Sequence, residues 1–141
     1  MEKYQIQFIE KVCSKLACFN FEYDVRLFIA CQFALESSYG RSSLAINSHN
    51  YCGMKIPLVR ISTADNAGVV SPKDTFARYA GLDWCVCDFV LCLQYHKPLS
   101  DIRSSVQSYQ NFIKSWYCPE KDYLFKINLI YNQFKSIQHG N

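Results

Sequence analysis

The run from Leu27 to Leu35 constrains this chain more than any other stretch. It is apolar apart from Gln32. A helix made from such a run has no polar face and has to be buried nearly all round. Glu36 follows at once, then Ser37, Ser38, Tyr39 and Gly40. Gly40 is placed to stop the helix, because glycine takes a left-handed conformation without penalty. Glu36 thus falls on the last turn of a buried helix. Desolvation and the negative end of the helix dipole both disfavour its charged form, which suits a general acid working near neutral pH. The alternative is a solvated glutamate, or one paired with Arg41.

The text around Glu36 favours the acid. Ala34-Leu35-Glu36-Ser37-Ser38-Tyr39-Gly40-Arg41-Ser42, followed by Leu44-Ala45, resembles the pattern A-L-E-S-G-W-G-x-S-x-L-A. Asn50-Tyr51-Cys52-Gly53-Met54-Lys55 resembles N-x-F-G-I-K. Both patterns belong to the glucosaminidase domain, glycoside hydrolase family 73, whose members cleave bacterial peptidoglycan. The resemblance implies an α+β, mostly α, lysozyme-like helical domain with a small β-hairpin lobe at about residues 55–80. It also implies that Glu36 is the acid, and that Tyr39, Asn50 and Tyr51 lie along the sugar site.

With 141 residues the chain is read as one domain, 1–141, long enough for a proper core. Half its residues are apolar and 16% aromatic, which excludes a disordered chain. The net charge of +3 fits an anionic wall polymer but selects nothing by itself. Basic runs interleaved with aromatics are missing, so nucleic-acid binding has no support. No stretch approaches the ~20 apolar residues of a membrane span, and the N-terminus, with Glu2 and Glu10, does not read as a signal peptide. Eight cysteines allow an oxidised scaffold, yet most sit within apolar helical runs and are read as reduced core residues. With no C-x-x-C pair and three scattered histidines, neither a metal nor an organic cofactor is expected.

In chain order, helices are expected over about Tyr4–Leu16, from a cap at Asp24 to Glu36, briefly through Ala45 and Ile46, from Leu82 to before Pro98, over Ile102–Lys114 and over about Glu120–Ile137. Between them Val59–Thr63 and Val69-Val70 are β-prone and flank a turn at Asp65–Gly68, the expected hairpin.

A glycosidase also needs a second carboxylate or a substitute for it. After Glu36 the next acidic residue is Asp65. By resemblance Thr63-Ala64-Asp65 stands where the family carries a lobe glutamate, one methylene longer, and the spacing favours Asp65 as the base. A turn aspartate is the alternative, and Asp74 the alternative carboxylate. Phe76-Ala77-Arg78-Tyr79 resembles F-R-x-Y, adding Tyr79 to the sugar site. Asp88 matches an aspartate of the following helix and reads as structural. Trp116-Tyr117-Cys118-Pro119 with Tyr123 resembles G-Y-A-T-D-x-x-Y, with Trp116 in place of glycine. Tyr117 then lines the sugar, stacking on it or bonding its acetamido group, with Tyr123 beside it.

The expected activity is an endo-β-N-acetylglucosaminidase acting on peptidoglycan. Asp65 serves as base, or the substrate's own acetamido group, held by Tyr117, takes its place. A lytic transglycosylase or muramidase of the same class, and a catalytically silent wall-binding module, remain alternatives. A phage lysin released through a pore, or an injected effector with an immunity protein as partner, fits a chain made in the cytoplasm without an export signal.

Overall fold

A computed structural model describes residues 1–69, 75–116, 120 and 122–140. Among these residues the helices are α1 (Lys3–Leu16), α2 (Tyr23–Ser37), α3 (Ser43–Ser48), α4 (Leu82–His96), α5 (Val106–Trp116) and α6 (Tyr123–His139), with 3-10 turns at Ala17–Phe19 and Leu99–Asp101.

Helix α2 is the axis. All residues from Leu27 to Ala34 are buried, as the apolar run requires. It packs against α1, α5 and α6. Phe33 meets Phe89 of α4 edge to face at 5.0 Å, and Phe28 meets Tyr109 of α5 at 5.9 Å. The expected cap at Asp24 is not found. Glu22 holds the N-cap position, and Asp24 in the first turn accepts from Lys135 of α6 at 2.9 Å. The helix expected from Ile102 begins at Val106 instead. Residues 99–101 form a 3-10 turn, and Ser105 accepts from the Ser108 N–H at 3.2 Å at the entry to α5.

No β-hairpin is seen among the described residues of the expected lobe. Among the described residues, 55–80 carry one isolated antiparallel bridge, Lys55–Phe76, with Ile56 N–H donating to Thr75 and Ala77 N–H to Met54. Pro57 ends this pairing by lacking an N–H. The β-prone stretch beyond it has no sheet to join: Val59 and Ile61 are 83% and 84% exposed. Its polar groups are captured by a helix instead. Asp88, fully buried on α4, accepts from Arg60 Nη1 and Nη2 at 2.7 and 3.1 Å and from the Thr63 N–H at 3.3 Å, while Thr63 Oγ1 donates to the Trp84 carbonyl. Thus the lobe is a loop stapled to α4 by one buried carboxylate. Val70 and Asp74 lie outside the described residues.

Candidate active site

At the C-terminus of α2 three consecutive residues have positive φ: Ser38 (50°), Tyr39 (57°) and Gly40 (82°). The left-handed cap is Ser38 rather than Gly40. Gly40 is required for another reason, since a Cβ there would stand 2.9 Å from the Phe8 ring. Ser37 ties the bend: its hydroxyl donates to the Phe33 carbonyl at 2.7 Å and accepts from the Gly40 N–H at 2.9 Å. Ser42 then caps α3 by accepting from the Ala45 N–H. This knot leaves Glu36 on the final turn, facing outward from the core.

Glu36 lies at the floor of a cleft of about 430 Å³, lined also by Cys52, Gly53, Met54, Lys55, Pro57, Arg60, Cys92 and Trp116. The loop opposite is built by Asn50. Its buried amide donates to the Met54 and Ala77 carbonyls at 2.9 and 2.8 Å, and its oxygen accepts from the Cys52 and Met54 N–H groups at 3.4 and 3.2 Å. So wrapped, the loop brings Gly53 (φ 70°) against the acid, where an added Cβ would be 3.1 Å from Glu36 Oε2. On its other side the carboxyl borders a smaller hollow with Leu35, Glu120, Tyr123 and Lys126.

Glu36 keeps solvent access through the cleft, yet desolvation raises its pKa. The neighbouring Tyr123 hydroxyl pulls the other way by bonding the charged form, and Glu120 adds a further upward push through its negative charge. Arg41, the partner that would have neutralised the acid, lies over the Tyr4 ring, 3.3 Å from its centroid.

The remaining sequence candidates are scattered over different roles. Tyr79 is buried, and its hydroxyl donates to Asp88 Oδ2 at 2.5 Å, so it braces the lobe and does not face the cleft. Asn50 likewise spends its polar atoms on the loop. Tyr39 stands half-buried at the bend, edge-on to Tyr4 at 6.4 Å. Tyr51 is half-buried between Phe8 and His49. Tyr123, buried at the start of α6, stands behind Glu36. Asp65 opens the exposed turn at 65–68, its N–H donating to the Arg78 carbonyl at 2.7 Å, and is not among the residues lining the cleft. Tyr117 lies outside the described residues. Asp88 is structural as expected. Burial would raise its pKa, but bonds from Arg60, Ser62 and Tyr79 together with the Arg60 charge hold it below the usual carboxylate range.

Two residues of this region were not singled out in the sequence. Gln32, one turn before Glu36 on the same face of α2, is fully buried and accepts from the Tyr109 hydroxyl at 2.5 Å. The i, i+4 spacing from Glu36 was the available signal. Among the described residues no three metal-ligating side chains cluster, and no helix is long and apolar enough to cross a membrane.

A family model, glucosaminidase, described as mannosyl-glycoprotein endo-beta-N-acetylglucosaminidase, matches residues 22–136. The chain belongs to the glucosaminidase family. Its fold is similar to that of the catalytic domain of the autolysin Auto from Listeria monocytogenes, with a TM-score of 0.66, 16% identity, and coverage of 98% of this chain and 88% of that one. It is also similar to a chain of a type VI secretion system effector–immunity complex from Pseudomonas protegens, with a TM-score of 0.55, 17% identity, and coverage of 90% and 93%. No curated protein matches it. The family match covers both motifs, Ala34–Ala45, which contains Glu36, and Asn50–Lys55.

Proposed function

We propose that this glucosaminidase hydrolyses the β-1,4 bond after N-acetylglucosamine in peptidoglycan, with Glu36 as the general acid. The observation that carries the reading is the placement of Glu36: a carboxyl whose pKa is raised by desolvation, lying in a cleft with Gly53 against it. Protonation of the glycosidic oxygen by Glu36 lets the leaving sugar depart as the C1–O bond breaks. The positive charge developing at C1 needs a partner.

Besides Glu36 no carboxylate is among the described residues that line the cleft. This favours the substrate's own acetamido oxygen, which would attack C1 to give an oxazolinium that water then opens. Asp65, on an exposed turn tied to Arg78, is the competing base. The family and the two structural likenesses support a wall-degrading role, and the effector–immunity complex supports delivery by injection with an immunity protein as partner.

Mass spectrometry of digested walls tests the reading. Fragments with reducing N-acetylglucosamine ends are expected. Reducing N-acetylmuramic acid or anhydro ends would replace it with a muramidase or a lytic transglycosylase. Walls whose N-acetylglucosamine has been de-N-acetylated should resist cleavage, and Asp65→Asn should cost far less than loss of Glu36. The reverse pattern would make Asp65 the base.

A further inference from the structure

A second hollow, of about 460 Å³, borders the cleft across one aromatic wall. Lys97, Asp101, Ser108, Asn111, Phe112 and Ser115 line it. The wall consists of Trp116, which lines the cleft, and Phe112, which lines the hollow. Their rings stack with centroids 5.1 Å apart and planes 14° from parallel. His96, the last residue of α4, packs on Trp116 at 4.2 Å. Trp116 stands where the glucosaminidase pattern carries glycine, so no such wall is written into that pattern. The sequence also sets both openings along one helix face. Ser108, Asn111, Phe112, Ser115 and Trp116 follow the i, i+3, i+4, i+7, i+8 spacing of a single stripe on α5. At 1.5 Å per residue, Ser108 to Trp116 covers ~12 Å, the length of about three to four residues of extended peptide.

The hollow brings together an ammonium, a carboxylate, an amide and two hydroxyls. Lys97 and Asp101 face each other at 3.9 Å with 40% and 51% of their side chains exposed, an ion pair too solvated to add much to the fold. Gln107 Nε2 donates to Asn111 Oδ1 at 2.9 Å, which leaves the Asn111 amide nitrogen as the donor. Ser115 Oγ donates to the Phe112 carbonyl at 2.9 Å and keeps its lone pairs to accept with. One cation, one anion and neutral donors and acceptors suit a ligand that carries both charges and amides. The sugar hydroxyls and acetamido groups of peptidoglycan are uncharged. Its peptide stems carry amides, carboxylates and the amine of a diamino acid. In the proposed cleavage the leaving sugar is the one that bears the stem, so a stem has to run out past the cleft wall. We propose that the hollow binds this peptide stem, a stem carboxylate meeting Lys97 and the diamino-acid amine meeting Asp101. This rests on the reading of peptidoglycan as the substrate.

The test uses soluble, un-cross-linked peptidoglycan strands in two forms, one with stems kept and one with stems removed by an amidase. The variant is Lys97→Gln/Asp101→Asn, which keeps size and removes both charges. On stem-bearing strands its KM should rise roughly five-fold with kcat unchanged, the scale of two exposed charge contacts. On stripped strands its KM should equal the parent's. Both side chains are exposed, so the fold should hold, as thermal melting would verify. Should it not, Asn111→Ala, which removes one neutral donor, carries the same expectation at smaller amplitude.

An unchanged KM on stem-bearing strands would overturn the proposal. An equal rise on both kinds of strand would also overturn it, because the hollow would then hold a sugar. The parent separates this claim from the one beneath it. A parent that cleaves neither kind of strand defeats the peptidoglycan reading and the stem site with it. A parent that cleaves both, beside a variant of unaltered KM, defeats the stem site alone.

Discussion

Gly53→Ala probes the contact on which the site is built. Two separate effects follow from the geometry. The backbone at Gly53 has φ 70°, a left-handed conformation that a Cβ penalises by about 1–2 kcal/mol. The same Cβ would sit 3.1 Å from Glu36 Oε2, so the acid must shift by a few tenths of an ångström. Gly68 supplies the control. Its φ is 75°, and a Cβ there meets nothing within 4 Å, so Gly68→Ala carries the strain alone. Both variants should therefore lose about 4–8 °C in melting temperature, at roughly 4 °C per kcal/mol for a chain of this size. Only Gly53→Ala should lose activity strongly. With ~100-fold lost per ångström of misplacement, a few tenths of an ångström corresponds to a loss on the order of ten-fold. Thermal melts by circular dichroism and turbidity loss of purified walls measure the two effects side by side. If Gly53→Ala lysed walls as fast as Gly68→Ala, the claim that the Asn50–Lys55 loop holds the acid in place would be refuted.

Ser38 occupies a left-handed position (φ 50°), so Ser38→Gly should stabilise the protein by about 1 kcal/mol, read as a rise in melting temperature. Asp88→Ala leaves Arg60 without its buried partner and should destabilise by about 3–5 kcal/mol, measured by urea unfolding. Because the folded Asp88 has a lowered pKa, its contribution is fully present above the ordinary aspartate value of about 3.9 and is lost as pH falls through the folded value. Acid titration of stability should show that loss in the parent and not in Asp88→Asn. Thiol titration of the native protein should label exposed Cys18 first and buried Cys13, Cys31, Cys52, Cys85 and Cys92 only on unfolding, while the denatured, unreduced chain should yield close to eight thiols. An absence of thiols would mean a disulfide scaffold.

What could be read from the sequence follows from how local its cause is. The buried helix and its terminal glutamate were legible because an apolar run and a following Ser-Ser-Tyr-Gly bend act within one stretch of chain. The hairpin expected from Val59–Thr63 is not seen among the described residues because β-propensity there is only a readiness to be extended. Whether a strand forms depends on a partner, and here Asp88, 25 residues beyond Thr63, takes the hydrogen bonds instead. Asn50 and Tyr79 matched motif positions, yet the motif does not say whether a polar side chain faces a ligand or holds a loop. Gln32 was visible as the single polar residue of its run, but its partner Tyr109 lies 77 positions away.

The most direct test of the account is Glu36→Gln, which keeps shape and removes the proton. Since burial raises the pKa of Glu36, its charged form destabilises the fold as pH rises past the ordinary glutamate value, and the variant should melt no lower than the parent at neutral pH. With the fold so verified, lysis of purified walls should fall by at least ~100-fold, the lower scale of general acid catalysis. Lysis at near the parent's rate by the folded variant would contradict the assignment of Glu36 as the acid.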